Sequence, residues 1–363
     1  METDSRRSFL RKMGLATAGL AAFSDSLGLP QDKKLNVALV GLGRYAGYMA
    51  DGITASRFCK VAGLVTGTPA KEAEWGTKYN VPRKNIYNYG NFDSIANNPD
   101  IDVVYVTLPN GLHKEFVIRA ANAKKQVIVE KPMAISVQEC KEMIAACEKN
   151  KVQLAVGYRL HFEPYNMEMM RLGQQKVFGK VQLVDASLGY NVGLDPNDWH
   201  VVKKLSGGGP LTNLGVYCVQ ATRYITGEEP VSVTAQFGPV TKPEIFKEVE
   251  QSITWQLNFP GGAVGTCVTS YTYGIDRLYA SADDGYFELS PAISYGPFRG
   301  RTSKGEFNFP EINQQQTQMD ALAKFFLNHT PLPDHISGYE GLRDLKVIEA
   351  IYKAANSGKK ENI

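Results

Sequence analysis

An acid and a base followed by a proline form the part of this sequence whose residue types and spacing best suit chemistry. Glu130, Lys131 and Pro132 directly follow the β-branched run Val127-Ile128-Val129. Such a run is typical of a buried parallel strand, and ligands in open α/β sheets bind just beyond the carboxyl ends of the strands. Pro132 lacks a backbone N–H and restricts Lys131 to extended geometry, so the chain leaves the sheet there. The sequence therefore predicts an ammonium fixed in a crevice; the alternative is a solvated Glu-Lys pair on a loop.

A glycine turn near the start of the chain indicates what the crevice binds. The apolar run 35–40 is followed by Gly41-Leu42-Gly43-Arg44-Tyr45-Ala46, after which residues 47–55 can form a helix. This strand, turn and helix order is typical of a dinucleotide-binding unit, here with Ala46 in place of the third glycine. Gly41 and Gly43 would let the backbone approach a pyrophosphate, and the helix N-terminus would supply free N–H groups. The alternative is an ordinary tight turn.

The second strand, 61–65, indicates which dinucleotide is bound. It ends in Thr66-Gly67-Thr68-Pro69-Ala70-Lys71, without the Asp or Glu that binds the ribose 2′-hydroxyl of NAD. The hydroxyls of Thr66 and Thr68, the Lys71 ammonium and the Arg44 guanidinium could instead surround a 2′-phosphate. NADP is therefore favoured over NAD. The alternative is that Lys71 only begins an exposed helix.

The order of the remaining elements predicts two domains. Strand and helix patterns alternate through residue 157, which specifies a doubly wound parallel Rossmann sheet. The later segments are turn-rich strands, which predict an α+β domain with a large, mostly antiparallel sheet. We expect a signal and linker over 1–32, a Rossmann domain over 33–157, and a substrate-binding and oligomerisation domain over 158–363.

Composition and the N-terminal sequence limit the possible ligands and cellular location of the protein. Lys plus Arg total 40 against 37 for Asp plus Glu, which gives a net charge of +3. This small charge does not indicate a nucleic-acid-binding protein. The five cysteines show no metal-site or disulfide spacing. Arg6-Arg7, then Phe9-Leu10, precede the apolar run 13–23, which is the layout of a twin-arginine export signal. That run is too short for a membrane span, so we expect a periplasmic or otherwise exported protein.

Several motifs together resemble the Gfo/Idh/MocA oxidoreductase family. They are the glycine turn, Glu130-Lys131-Pro132, Trp199, and four further segments: Leu108-Pro109-Asn110 with His113, Tyr158-Arg159-Leu160-His161-Phe162, the 207–217 stretch that begins with three glycines, and the stretch from Thr222 to Pro230. The likeness extends from about Leu35 to the C-terminus. The resemblance implies hydride transfer at a sugar carbon with NADP as cofactor.

The resemblance also implies roles for particular residues. Lys131 and Tyr217 would be catalytic, with Tyr217 as proton acceptor and donor, and Asn213 stands where the family usually has an aspartate. An ammonium beside a phenol favours its charged form, which gives Lys131 a physical role in that step. The cofactor would be lined by the glycine turn and by Leu108, Asn110, His113, Glu130, Lys131 and Trp199.

Substrate contacts are the least determined part of the expected site. Arg159, His161, Asn213 and Tyr217 could orient the hydroxyls of an aldose oxidised to a lactone. The alternatives are a structural histidine at 161 and a core tyrosine at 217. Two other functions stay open: a glycoside-cleaving enzyme that uses its cofactor without net redox change, and a non-catalytic sugar-binding or cofactor-binding protein.

A homodimer or homotetramer is expected from the C-terminal sheet. We expect one face of that sheet to be left uncovered within the chain and to carry four apolar side chains. An exposed apolar face would be an aggregation hazard unless a partner covered it. The four residues are Trp255, Leu257, Phe259 and Tyr271.

Overall fold

The computed structural model describes residues 33–191 and 193–363. The expected twin-arginine signal in residues 1–32 lies outside them. Within the described ranges, no helix is long and apolar enough to cross a membrane. The same ranges hold no cluster of His, Cys, Asp and Glu that could bind a metal ion.

The N-terminal domain is built on a six-stranded parallel sheet. Its strand order is β3-β2-β1-β4-β5-β6, the doubly wound arrangement predicted from the sequence. The strands are β1 (Leu35–Val40), β2 (Cys59–Val65), β3 (Ile86–Tyr87), β4 (Val103–Val106), β5 (Gln126–Glu130) and β6 (Leu154–Gly157). The helices between them are α1 (Arg44–Ala55), α2 (Pro69–Lys78), α3 (His113–Asn122) and α4 (Val137–Asn150).

Local signals explain where these elements begin and end. Strand β5 stops at Glu130, directly before the Lys131-Pro132 step, as expected from the missing N–H of proline. Helix α4 starts after Ser136, whose side chain accepts a hydrogen bond from the Glu139 N–H at 3.2 Å. These stops and starts place Lys131 at the carboxyl edge of the sheet.

The C-terminal domain is a nine-stranded, mostly antiparallel sheet backed by helices. Its order is β14-β13-β12-β11-β7-β10-β9-β8-β15, and β7 with β10 is the parallel pair. The strands are β7 (Val181–Gly189), β8 (Ser232–Phe237), β9 (Ser252–Asn258), β10 (Val264–Ser270), β11 (Ile275–Ala282), β12 (Gly285–Leu289), β13 (Gly300–Thr302), β14 (Gly305–Phe307) and β15 (Glu361–Asn362). The helices are α5 (Pro164–Gln174), α6 (Lys203–Ser206), α7 (Val216–Thr226), α8 (Gln314–Leu327) and α9 (Gly338–Ser357).

The expected uncovered face of this sheet was assigned to the wrong residues. Trp255, Leu257, Phe259 and Tyr271 are all at most 4% exposed and lie in the domain core with residues of α7 and α9. The side chains of β9 alternate in direction, so the open face instead presents residues such as Thr254. Alternation defines two faces, but only the helices decide which one is covered.

Helix α8 packs against the first domain, although it follows the second in sequence. Its Met319 and Leu322 share a buried cluster with Leu39 and Ile53. A Cβ added at Gly52 of α1 would lie 2.6 Å from the Gln315 Cβ, so α1 and α8 approach closely. The boundary at 157/158 stays a prediction, and α8 connects the two sides of the cleft.

Candidate active site

The structure brings Lys131 and Tyr217 together from different domains. The Lys131 Nζ lies 4.5 Å from the centroid of the Tyr217 ring. The same ammonium donates a hydrogen bond to the Asn213 carbonyl at 2.9 Å. Lys131 follows β5, and Tyr217 is the second residue of α7. A cation and a phenol therefore meet at the carboxyl edge of the parallel sheet, where ligands of such sheets bind.

The segment directly before α7 is not regular α-helix. Residues Leu211–Gly215 form a π-helical turn, and the α-helix begins only at Val216. π-Turns are frequent at functional sites. The Asn213 carbonyl of this turn receives the Lys131 ammonium. The main chain of Asn213 therefore positions Lys131.

Arg159 is a second cation beside Tyr217. Its guanidinium carbon lies 5.2 Å from the Tyr217 ring centroid, and the residue is only 3% exposed. Burial acts to lower the pKa of Arg159, but the neighbouring phenols, first of all Tyr217, raise that pKa overall. Two cations in a water-poor site stabilise negative charge that develops between them. Arg159 donates to the Ser294 carbonyl at 3.2 Å, to the Ile293 carbonyl and to the Gln314 side chain.

Glu130 fixes the strand end from which Lys131 projects. Its buried carboxylate accepts hydrogen bonds from the Tyr105 hydroxyl at 2.6 Å and from the Lys131 N–H at 3.2 Å. Tyr105 in turn accepts one from Gln318 of α8 at 2.8 Å. Burial raises the pKa of Glu130, and its hydrogen bond with Tyr105 acts in the opposite direction. Tyr45, which belongs to the glycine turn, also acts to lower the pKa of Glu130.

The glycine turn has the geometry needed to hold a pyrophosphate. Gly41 has a φ of +89°, which favours glycine, and a Cβ added there would lie 2.7 Å from Leu108 Cδ2. A Cβ added at Gly43 would meet nothing within 4 Å, so space lies above the turn. The N-terminus of α1, which begins at Arg44 and has Ala46 buried on its inner side, carries no acidic residue and no side-chain cap. Its backbone N–H groups therefore suit an anion.

The residues expected around a 2′-phosphate lie at one end of this turn. The Lys71 Nζ donates to the Leu42 carbonyl at 2.7 Å, which places the ammonium over the glycine turn. Thr68 is exposed and begins α2 without a side-chain capping bond, so its hydroxyl is available to a ligand. Thr66 is buried, and its hydroxyl accepts the Thr68 N–H at 3.2 Å. Thr66 thus shapes the turn, the Lys71 ammonium lies over it, and Thr68 is exposed beside it.

Leu108, Asn110 and His113, which are expected to line the cofactor, are buried. Their hydrogen bonds connect the loops that follow β4 and β5. Both nitrogens of His113 face carbonyl oxygens, with Leu108 at 2.8 Å and Pro132 at 3.1 Å. Burial lowers the pKa of His113. Asn110 donates to the Ser206 carbonyl of α6 at 2.8 Å. His113 thus ties the loop after β4 to the loop after β5, and Asn110 ties it to the second domain.

Sequence reasoning missed a carboxylate and imidazole pair that lies on the far side of the cleft. Trp199 begins a 3₁₀ turn, and its ring stacks on His200 with centroids 3.8 Å apart. The His200 Nδ1 lies 2.5 Å from a carboxylate oxygen of Asp198. Burial lowers the pKa of His200, Asp198 opposes that shift, and the charges of Lys131 and Arg44 add to it. The spacing of Asp198 two residues before His200 is the sequence signal that could have predicted this pair.

His161 is not part of the Lys131 and Tyr217 arrangement. Its ring stacks on Tyr158 at 4.7 Å and on His335 at 5.8 Å, and packs edge-on against Tyr224 at 4.3 Å. Burial lowers the pKa of His161. Among the described residues, no hydrogen bond or ring contact joins it to Lys131 or Tyr217. Its expected contact with substrate stays a prediction, and the packing seen is structural.

A dinucleotide-type glycine turn that faces a lysine and tyrosine pair defines a nicotinamide-dependent class of oxidoreductase. The chain belongs to the Gfo/Idh/MocA oxidoreductase family. The sequence model of the family's NAD-binding Rossmann domain matches residues 35–158, and that of its C-terminal domain matches residues 167–288.

Known relatives include sugar-converting enzymes. The chain is 39% identical to an aldose-aldose oxidoreductase from Caulobacter crescentus, a structure complexed with glycerol, with a TM-score of 0.88 over 91% of this chain and all of that one. It is 25% identical to the NADP(+) D-xylose 1-dehydrogenase of Haloarcula marismortui, over 90% of this chain and 92% of the relative. A trans-1,2-dihydrobenzene-1,2-diol dehydrogenase of Danio rerio is 32% identical, over 54% of this chain and 56% of its own length.

Proposed function

We propose that the protein is an NADP-dependent aldose oxidoreductase that oxidises the anomeric carbon to a lactone. The observation that carries the proposal is the Lys131 ammonium, held 4.5 Å from the Tyr217 ring at the carboxyl edge of the sheet. The likeness to an aldose-aldose oxidoreductase and to an NADP(+) D-xylose dehydrogenase supports a sugar substrate. A second sugar could take the hydride back, as in glucose-fructose oxidoreductase, the family member that the sequence motifs most resemble.

The chain's own residues can perform the proton transfer. In its phenolate form, the Tyr217 side chain accepts the proton of the anomeric hydroxyl as hydride leaves the same carbon, a step for which general base catalysis contributes about 10² to 10⁴ in rate. Lys131 and Arg159 stabilise the negative charge that develops as that proton leaves. Asn213 and Glu130 act through Lys131, because one fixes its ammonium and the other its backbone. When bound, the nicotinamide supplies the hydride acceptor.

The preference for NADP follows from the groups around the glycine turn. The turn and the N-terminus of α1 would hold the pyrophosphate, and Lys71 with Thr68 would face the 2′-phosphate. The segment 66–71, which follows β2, offers no carboxylate to repel that phosphate. The NADP(+) dependence of the xylose dehydrogenase relative supports this assignment.

The direct test is to measure reduced nicotinamide when protein, NADP and a series of aldoses are mixed, and to detect the lactone by mass spectrometry. Ligand released from protein purified without added cofactor should be NADP or NADPH. Cleavage of a glycoside by bound cofactor without net redox change would instead identify a glycoside-cleaving enzyme. Bound cofactor with no turnover of any aldose or glycoside would leave a binding protein and contradict the proposal.

Two further proposals concern the setting of the enzyme. We propose export by the twin-arginine route, supported by Arg6-Arg7 and the short apolar run behind them.

We also propose a homodimer or homotetramer joined through the open face of the nine-stranded sheet. That face carries the half-buried Val268 and the stacked pair Tyr279 and Tyr286, with ring centroids 5.7 Å apart. Apolar and aromatic side chains on an open sheet face favour association.

A further inference from the structure

A segment of three glycines, residues 207–209, connects α6 to the π-helical turn that precedes α7. A Cβ added at Gly207 would lie 2.7 Å from Ile135, in the loop after β5. One added at Gly208 would overlap the Tyr352 hydroxyl of α9. Both glycines therefore let the main chain pass closer to its neighbours than a larger residue would allow. The segment is thus held between the loop after β5 and helix α9.

Glu250, in the loop before β9, anchors the same segment through its carboxylate. One oxygen accepts the Gly209 N–H at 3.0 Å, and the other accepts the Leu211 N–H at 3.0 Å. The second oxygen also accepts the Tyr352 hydroxyl at 2.9 Å. Hydrogen bonds to an ionised acceptor are about twice as strong as those between neutral groups. Glu250 therefore ties the end of the glycine segment to the nine-stranded sheet and to α9.

Further hydrogen bonds lead from Gly209 to the proposed catalytic lysine. The Gly209 carbonyl accepts the Asn213 N–H at 3.4 Å and the Thr212 hydroxyl at 3.0 Å. The Asn213 carbonyl in turn accepts the Lys131 ammonium at 2.9 Å. Successive hydrogen bonds thus connect the Glu250 carboxylate with the Lys131 ammonium. A displacement of Glu250 would therefore move the turn that receives this ammonium.

We infer that Glu250 is a positioning residue, which holds the Lys131 ammonium beside Tyr217 through the glycine segment and the π-helical turn. The inference rests on the proposed role of Lys131 in aldose oxidation. A displacement of about 1 Å at a reacting group can cost about 10²-fold in rate. Among the described residues, none of the hydrogen bonds of Glu250 reaches the glycine turn 41–46. Loss of Glu250 should therefore lower kcat more than the affinity for cofactor.

The test uses Glu250→Gln, Tyr352→Phe and wild type, each saturated with cofactor. Glutamine keeps the size of Glu250 but replaces one acceptor oxygen with an amide that donates hydrogen bonds. Phenylalanine at 352 removes only the hydroxyl that donates to Glu250. Glu244→Gln is the matched control, because Glu244 is an exposed acid in the same loop before β9.

Two measurements are made on each variant. The first is the rate at which acetic anhydride acetylates Lys131 in the presence of NADPH, followed by mass spectrometry of the peptide that contains it. This measurement needs no sugar. The second is single-turnover reduction of NADP by aldoses, both in the variants and in the same variants combined with Lys131→Ala.

We expect Glu250→Gln to lower the single-turnover rate about 10- to 100-fold, with the affinity for NADPH changed by less than about twofold. Lys131 should be acetylated about threefold faster or more, because local opening governs the access of a reagent. In the Lys131→Ala background, Glu250→Gln should cause less than about a twofold further loss, as for residues that act together. Tyr352→Phe should act in the same direction but more weakly, and Glu244→Gln should match wild type.

An equal loss of rate from Glu250→Gln with and without Lys131 would overturn the inference, because Glu250 would then act independently of the lysine. Unchanged acetylation of Lys131 in Glu250→Gln would overturn it as well. If Glu250→Gln does not fold, Tyr352→Phe provides the same comparison. If wild type oxidises no aldose, the proposed activity fails, and the acetylation rates alone decide whether Glu250 positions Lys131.

Discussion

Gly157 lies at the closest approach around Glu130, and its replacement by alanine gives a sharp test of how the site is held. A Cβ at this position would lie 2.5 Å from a Glu130 carboxylate oxygen and 2.6 Å from the Tyr105 hydroxyl. Real Cβ atoms essentially never approach heavy atoms to under 3.0 Å, so the buried pair must separate. Both partners lie in packed surroundings, because Glu130 is 7% exposed and Tyr105 is fully buried.

The size of the effect follows from two terms. Overpacking a tight core costs about 1 to 3 kcal/mol. Weakening the 2.6 Å hydrogen bond between Tyr105 and the buried Glu130 carboxylate adds about 1 to 3 kcal/mol. These terms overlap, so we expect Gly157→Ala to lower the free energy of unfolding by about 2 to 4 kcal/mol. Glu130 directly precedes Lys131 and accepts a hydrogen bond from its backbone N–H. A displaced Glu130 should therefore disturb Lys131, so kcat should fall more than the affinity for cofactor.

The assay is urea unfolding of wild type and variant, followed by circular dichroism, together with steady-state kinetics. Gly274→Ala is the matched control, since a Cβ at this exposed glycine meets nothing within 4 Å. We expect the control to change stability by less than about 1 kcal/mol. A loss below about 1 kcal/mol for Gly157→Ala, with an unchanged kcat, would refute the reasoning about Glu130.

Three further predictions concern cofactor, export and assembly. Lys71→Ala should weaken NADP binding about 10- to 100-fold and leave NAD binding nearly unchanged, because one charge-assisted contact to phosphate is lost. Lys78→Ala on the same helix is the control. Equal losses of affinity for both cofactors would count against the assignment. Replacement of Arg6 and Arg7 by lysine should retain the protein in the cytoplasm, and unchanged extracytoplasmic yield would disprove that route. Light scattering should show a dimer or tetramer, and a 40.0 kDa particle at micromolar concentration would rule out association.

The parts of the site that the sequence predicts are those set by local rules. The stop of β5 before Pro132 and the turn at Gly41 each depend on a few adjacent residues, and both are present in the structure. The Lys131 and Tyr217 contact was expected only from the family resemblance. No local rule states that residues 86 positions apart in the sequence meet across a cleft.

The parts that the sequence does not predict depend on how elements pack. His200 lies near enough to Lys131 for the lysine charge to lower its pKa, and no local pattern in the sequence predicts that approach. The alternating pattern of β9 does not show whether the face that carries Trp255 is buried or open. The helices that pack on the sheet determine which face is buried. The short strands β12–β14 are too brief to give a clear periodic pattern.

The central claim is that Tyr217 and Lys131 act as one proton-transfer unit in aldose oxidation, and single-turnover kinetics test it most directly. Reduced nicotinamide would be followed after mixing NADP-loaded Tyr217→Phe, Lys131→Ala, the double variant and wild type with glucose and other aldoses. Tyr217→Phe keeps the ring beside Lys131 but removes the proton carrier.

We predict that Tyr217→Phe lowers the rate by about 10² to 10⁴ while cofactor binding survives. Lys131→Ala should also slow the reaction, and the double variant should be little slower than the worse single one, as for residues that act together. A Tyr217→Phe rate above about half of wild type, under conditions where chemistry limits, would contradict the account.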